Sequence, residues 1–291
     1  MSSKPSKIQD KDCLPLFIGY LPEFALKKCK EELNESPERK VKALQELRAL
    51  LEKNEKTSGI DFHEDFLVQY LRRNKYRLRD TFQHLLNFVI LNKKETNLFN
   101  STPDHYLETA SSRTILLLPK RCPEGCAVAI FQIATWNPKE LPFEYFKQIG
   151  VMTFLQLLRD PMNQVNGFKF IHDFQGTFSF LKYCTPQNLY LLYNFTINCI
   201  PGRYKEIHII NESLAMKTIW NILKHFLTQK IKDRIFFHSD PEELLDHFPR
   251  SIMPTKYGGT LEDPGTHDWI KKANKEHEKY SIEGQPNFYS S

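Results

Sequence analysis

No stretch of this chain is a run of the roughly 18–20 predominantly apolar residues that a helix needs to cross a bilayer. The opening MSSKPSKIQDKD is polar and lacks the apolar centre of a secretory signal. Serine, not glycine, follows Met1, so an N-terminal acyl anchor is unsupported. Any membrane contact is therefore expected to be peripheral and transient, from a cytoplasmic location. Nucleotide signatures are missing as well: there is no GxxxxGKS/T loop and no GxGxxG after a strand. A GxSxG nucleophile elbow and an HExxH zinc motif are also absent. A net charge of +5 is too mild to argue for nucleic acid. These absences make an enzyme the weakest function class and leave no cofactor or metal expected.

The six cysteines, without a secretory signal, read as reduced thiols. Cys122 and Cys126 in RCPEGC lack a matching Cys/His pair and read as a Pro/Gly turn. What is present is a chain of 291 residues, 41% hydrophobic and 26% charged, with ample material for a core.

Residues 1–100 carry helical periodicity. Glu38–Lys53 puts Val41, Leu44, Leu47, Leu50 and Leu51 on one stripe, and Phe62–Arg73 and Arg79–Lys93 follow. His63-Glu64-Asp65 reads as a helix start, because adjacent residues on a helix do not face one another. Beyond residue 110 short apolar runs alternate with helices. Strands are expected at Thr114–Leu118, Ala127–Ile133, Phe168–Phe174, Glu206–Ile210 and Arg234–His238. Helices are expected at Phe143–Leu158, Pro186–Cys199 and Leu214–Ile231, with a short one at Pro241–His247. Repeated β-α-β units imply a largely parallel sheet with right-handed crossovers. The KYGG segment at 256–259 marks the end of the compact domain, and the tail beyond it reads as less ordered, although Trp269 could dock a helix.

In FKFIHDF, Phe168, Phe170, His172 and Phe174 share one strand face, while Asp173 lies on the other. His172 and Asp173 cannot then form a working acid–base pair by themselves. The aromatic face fits either sheet-on-helix core, which spacing alone favours, or the floor of an apolar pocket. His84, His105, His225 and His247 stand in isolated contexts that read as surface or helix-end positions.

Residues 213–234, SLAMKTIWNILKHFLTQKIKDR, carry an apolar stripe of Met216, Ile219, Trp220, Leu223, Phe226 and Leu227, widened by Ile222. Lys230, Lys232 and Arg234 crowd its end. Cations there suit the C-terminal end of a helix dipole, at roughly 0.3–1 kcal/mol each. That account leaves Arg203 and Lys205 unexplained. In a parallel sheet they fall at the same end as Lys230 and Arg234, so one patch of four or five cations is expected, suited to phosphate and to an anionic membrane.

The runs CIPGRYKEIHIINE, FLTQKIKDRIFFH and LLDHFPRSIMPTKYGG resemble the CRAL-TRIO (Sec14-like) lipid-transfer family, most nearly its tocopherol- and retinaldehyde-carrier branch. DFLVQYLRRNKYRLRDTFQHLLNF, ATWNPKEL and NGFKFIHDFQG match further blocks, in consistent order over roughly residues 35–265. The resemblance implies an α/β fold: an α/β/α lipid-binding domain with a mostly parallel sheet, preceded by an all-α N-terminal module. The expected division is an extension over 1–34, the helical module over 35–110, the lipid domain over 111–265 and a tail over 266–291. It also implies a cavity lined by Phe131, Ile133, Phe154, Phe168, Phe170, His172, Phe195 and Ile207. Trp220, Leu223 and Leu227 would belong to a mobile gate over that cavity. Arg203, Lys205, Lys230 and Arg234 match the phosphoinositide-binding positions of the branch. Asn74 stands where the helical module usually has an arginine, with Arg73 and Lys75 as possible substitutes. Phe154 replaces a small polar residue of the tocopherol carrier, so the pocket is more aromatic.

The expected partners are a hydrophobic small molecule (tocopherol, retinoid, carotenoid, sterol-like or other long isoprenoid), phosphoinositide headgroups and an anionic membrane surface, with no nucleic acid. The chain is expected to act as a monomer. Two non-enzymatic classes remain, a carrier that moves its ligand and a lipid-sensing or scaffold module that does not.

Overall fold

The structure, a computed structural model, describes residues 20–176, 178–212, 214–262 and 267–278. Four helices come first: α1 Glu23–Leu33, α2 Pro37–Glu52, α3 Glu64–Arg73 and α4 Leu78–Lys94. Sequence signals fix their starts. Pro37 opens α2, where Ser36 Oγ accepts the Arg39 N–H at 3.2 Å, and His63 Nδ1 accepts the Asp65 N–H at the start of α3. Leu44, Leu47 and Leu51 of α2 pack with Phe66, Tyr70 and Leu71 of α3 and Leu85, Phe88 and Val89 of α4. Val41 and Leu50, expected on the same stripe, are exposed, so the buried face of α2 is rotated toward Ala43. His84, read as superficial, is buried on α4, and desolvation pushes its imidazole down to about 3.

After α5 (Asp104–Leu107) the chain enters a five-stranded sheet: β1 Ile115–Leu117, β2 Ala127–Gln132, β3 Phe168–Asp173, β4 Tyr204–Ile210 and β5 Ile235–Phe237. The strands lie side by side in chain order. β1 pairs antiparallel with β2, and the other three pairings are parallel. All five strands coincide with the stretches expected from the sequence. The Cys122–Cys126 segment between β1 and β2 is a turn, with the Gly125 N–H bonded to Cys122 O at 2.8 Å.

The β2–β3 crossover contains α6 (Phe143–Leu157) and α7 (Pro161–Asn166). The β3–β4 crossover contains α8 (Phe178–Leu181) and α9 (Pro186–Tyr193), which runs into a wider π-wound turn over Asn194–Cys199. The β4–β5 crossover contains α10 (Leu214–Leu223) and α11 (Gln229–Lys232). The single helix expected over 214–231 is thus two. Lys224, His225 and Phe226 form turns, and Thr228 is extended at ψ 154° before α11. No glycine or proline marks that break, so local propensity could not show it.

Crossovers of one hand between neighbouring parallel strands in chain order put every connection on the same face. The opposite face is covered by residues 241–261, where Leu244, Phe248, Ile252, Met253 and Tyr257 pack on Val128, Ile130, Ile171 and Ile210. Asp173 anchors this covering segment: it accepts Lys256 Nζ at 2.7 Å, Tyr257 OH at 2.9 Å and Asn211 Nδ2 at 2.8 Å. Burial alone would raise its carboxyl, but these donors outweigh burial and hold it below the usual carboxylate range. Gly259 is required at the closure, since a Cβ there would sit 1.9 Å from Met253 O.

Two flanking pieces dock more firmly than expected. α1, placed by the sequence reading in an extension, buries Ala25, Cys29 and Leu33 against Met162 and Val165 of α7. The tail forms α12 (His267–Glu278), burying Trp269, Ile270 and Ala273. Asn274 exchanges two hydrogen bonds with the Thr102 backbone, at 2.8 and 2.9 Å. Among the described residues no helix is long and apolar enough to cross a membrane.

Arg72 joins three of these parts. Its guanidinium makes two 2.8 Å bonds to the Glu35 carboxylate and one of 2.7 Å to Gln164 Oε1 on α7. Burial would raise the Glu35 carboxyl, yet the hydrogen bonds and charge of Arg72 hold it low. We predict that Arg72→Ala destabilises the fold by about 3–5 kcal/mol, because it leaves a buried carboxylate unpaired. Arg72→Met combined with Glu35→Gln should recover much of that loss in denaturant unfolding. The pair's contribution is present above the ordinary carboxylate pKa and is lost as pH falls through the depressed folded value of Glu35.

Candidate functional site, an apolar cavity beneath a helical cover

Between the crossover face of the sheet and its helices lies a cavity of about 360 Å³. Alternation along the strands selects its floor. Phe131 pairs with His172, Phe170 with Ile207 and Ile207 with Ile235, so all five side chains point the same way. Val151 and Phe154 of α6 form one wall, and Leu189 of α9 with Phe195 of the wide turn forms another. Ile219, Trp220 and Leu223 of α10, with Leu227 and Ile231, form the cover.

The structure brings together Phe131, Ile133, Phe154, Phe170, His172, Phe195, Ile207, Trp220, Leu223 and Leu227 around this space. Phe168 does not reach it. Its ring lies fully buried beneath Phe154 and Phe170, at 6.1 and 5.8 Å between centroids. The aromatic face of β3 is therefore core at one end and cavity floor at the other. Sequence reasoning missed, among others, Val151, Phe174, Leu189, Tyr204, Ile209 and Ile231. Alternation could have added Phe174 along β3 and Ile209 along β4, but the others depend on how the elements pack and on the α10–α11 break.

His172 is the imidazole of the floor. It stacks on Phe131 at 4.9 Å and on Phe174 at 6.1 Å, with no hydrogen-bond partner among the described residues. Desolvation pushes it down to about 4, so it is neutral at physiological pH. Toward β4 the Tyr204 hydroxyl is buried and likewise without a partner. These two groups are polar handles of a mostly apolar lining, which also includes Lys147, Asn188 and Thr196.

The basic cluster lies beside Tyr204. Arg203, Lys230 and Arg234 are joined there by Arg73, whose charge interacts with Arg203, Arg234 and Tyr204. Lys75 and Arg77 of the α3–α4 turn add to it. Lys75 and Tyr76 both adopt left-handed backbone, at φ 54° and 59°, which is costly for non-glycine residues. Asn74 is turned inward to Tyr70 O at 2.9 Å, so Arg73, one residue earlier, faces the cluster instead.

Charge compensation divides the cluster. Arg203 bonds Glu32 Oε2 of α1 at 3.1 Å and also donates to Val165 O, and Lys205 lies 3.7 Å from the same Glu32 oxygen. Lys205 thus sits on the α1 side of Arg203, away from Lys230. Among the described residues, Arg73, Lys75, Lys230 and Arg234 have no carboxylate within ion-pair distance; Arg234 donates to Tyr204 O. Desolvation and then mutual repulsion lower the pKa of Lys230 and of Arg73.

A model of the CRAL/TRIO domain matches residues 112–259, from the approach to β1 through the paired glycines after Tyr257. The chain belongs to the CRAL/TRIO domain family. That family comprises lipid-binding and lipid-transfer proteins. The human "Alpha-tocopherol transfer protein-like" is 30% identical over 258 residues, covering 88% of this chain and 75% of that protein. "Clavesin-2" of Homo sapiens is 24% identical over 268 residues, covering 88% and 80%. "Clavesin-1" of Pongo abelii is 23% identical over 263 residues, covering 88% and 73%.

The neutral floor makes a pH prediction. Affinity for a fluorescent hydrophobic probe should stay flat from pH 8 to about 5, because His172 titrates near 4. Conformational stability should fall over the lower part of that interval, as the unfolded chain takes up protons that the folded imidazole refuses. His172→Gln should reduce that slope, measured by denaturant unfolding at each pH.

Proposed function

We propose that this chain is a carrier that encloses one hydrophobic molecule, of the tocopherol, retinoid, carotenoid or similar isoprenoid class, and exchanges it at phosphoinositide-bearing membranes. The observation that carries the reading is the dual character of the cover. Ile219, Trp220 and Leu223 line the cavity, while Ile222 and Phe226 are 42% and 46% exposed. Tyr190 and Leu192 of α9 are exposed as well, and the rings of Tyr193 and Phe226 are in contact across the two elements. An apolar rim of this kind suits entry into a bilayer interface. The uncompensated cations next to it suit the phosphates of an inositol lipid. The α10–α11 break supplies a hinge on which the cover can act as a gate.

In this reading residues 111–265 hold the ligand and 35–110 contribute Arg73 and Lys75 to headgroup binding, with 1–34 and 266–291 flanking them. The protein acts as a monomer in the cytoplasm and meets membranes transiently. A non-catalytic role is supported by the floor: among the described residues His172 has no acid beside it, and Asp173 is engaged on the opposite face.

Vesicle-to-vesicle transfer of a fluorescent hydrophobic ligand tests the reading. Lys230→Ala with Arg234→Ala should slow transfer to phosphoinositide vesicles about 30-fold, at about 1 kcal/mol per cation, while ligand affinity stays nearly unchanged. Unchanged transfer would remove the patch assignment. Ligand binding without any acceleration of transfer would favour the lipid sensor instead. Tyr204→Phe should weaken a hydroxyl-bearing ligand about 5–30-fold and leave a hydrocarbon analogue unaffected.

A further inference from the structure

The face of the sheet opposite the cavity holds three histidines that the ligand site does not use. His208 lies on β4, His238 follows β5, and His247 follows the 3-10 segment Pro241–Asp246. One ring nitrogen of each lies within 4.8 Å of those of the other two. His208 and His238 are buried and His247 is half-buried. Phe236 stacks on His208 at 5.2 Å and the Phe248 ring packs edge-on at 4.9 Å, so the imidazoles are held in an aromatic frame.

The nitrogen contacts of this cluster are compatible with a shared cation. Glu206, His208, His238 and Glu243 form a row. His208 Nε2 lies 3.0 Å from Glu206 Oε2, His208 Nδ1 2.9 Å from His238 Nε2, and His238 Nδ1 3.5 Å from Glu243 Oε2. Two neutral imidazoles bring two N–H groups to three contacts, and ionised carboxylates bring none. If the outer contacts take both, two nitrogen lone pairs face each other in the middle. A cation between them resolves the conflict. A proton would need no third imidazole, whereas a metal ion would take one.

We propose that His208, His238 and His247 form a site for one divalent ion of the imidazole-preferring class, zinc foremost. The outer N–H groups of His208 and His238 then donate to Glu206 and Glu243, the carboxylate–histidine–metal arrangement that fixes ligand orientation. Lys169 Nζ, 2.9 Å from Glu206 Oε2, is a cation nearby, and it is offset by Glu206 and by Glu124 at 3.5 Å. Tetrahedral coordination at the usual Zn–N length needs nitrogens about 3.3 Å apart. The His208–His238 contact is already that short, and His247 has to move inward. The ion would tie β4, the end of β5 and the closing segment together, directly behind the strands that carry the cover.

Chelator-treated full-length protein titrated with zinc, followed by calorimetry and thermal unfolding, tests the site. The expected result is one ion per chain with a raised unfolding temperature, and cobalt(II) substitution should give the intense visible bands of a tetrahedral nitrogen-rich site. Glu243→Gln should weaken binding about tenfold. His247→Ala should weaken it further, with the metal-free unfolding temperature unchanged as the check that this half-buried variant folds. The Cys122→Ser, Cys126→Ser double variant should bind as the parent does. No uptake at micromolar metal, or uptake that survives loss of His247, or uptake lost with the cysteines, would each overturn the proposal.

Discussion

Neighbouring parallel strands laid down in chain order can be connected with one hand only if every crossover passes over the same face. The rest of this structure depends on that constraint. It gives one face of the sheet three helical connections and leaves the other for whatever chain remains. The cavity lies between the helical face and its floor of aromatic side chains. The bare face is sealed by residues 241–261, latched through Asp173. His172 and Asp173 are neighbours in the chain, yet one faces the cavity and the other belongs to the latch.

Charge follows the same geometry. The segments before β4 and β5 emerge at one end of the sheet and meet the α3–α4 turn there. Glu32 neutralises the part nearest α1, so the excess positive charge is concentrated beside the cover rather than spread over the whole end.

Much of this was legible in the chain. Five strands follow from short apolar runs, and the shared face of Phe170, His172 and Phe174 follows from a period of two. The family blocks supplied the cavity positions that periodicity alone left ambiguous. Phe168 could not be separated from its neighbours, because which end of a strand meets core and which meets a void is decided by α6. The α10–α11 break was invisible for lack of a glycine or proline. Glu32 as a counter-charge was hidden because α1 is distant in sequence from Arg203. The three clustered histidines come from three separate segments, so no spacing rule gathers them. His247 read as an isolated residue for that reason.

The wide turn over Asn194–Cys199 has a consequence for what counts as a foldable unit. Its backbone is held from outside the matched family segment: Tyr70 OH donates to Cys199 O at 2.8 Å, and Asn87 Nδ2 donates to Asn198 O at 3.3 Å. Phe195, on the same turn, packs against Phe99 on one side and Phe154 on the other. A fragment cut to residues 112–259 would keep every strand and every cover residue but lose the partners of one cavity wall. The family boundary drawn in sequence therefore falls inside the cooperative unit. Any molecule held against Phe195 would be in mechanical contact with helices that contribute little to the lining of the cavity.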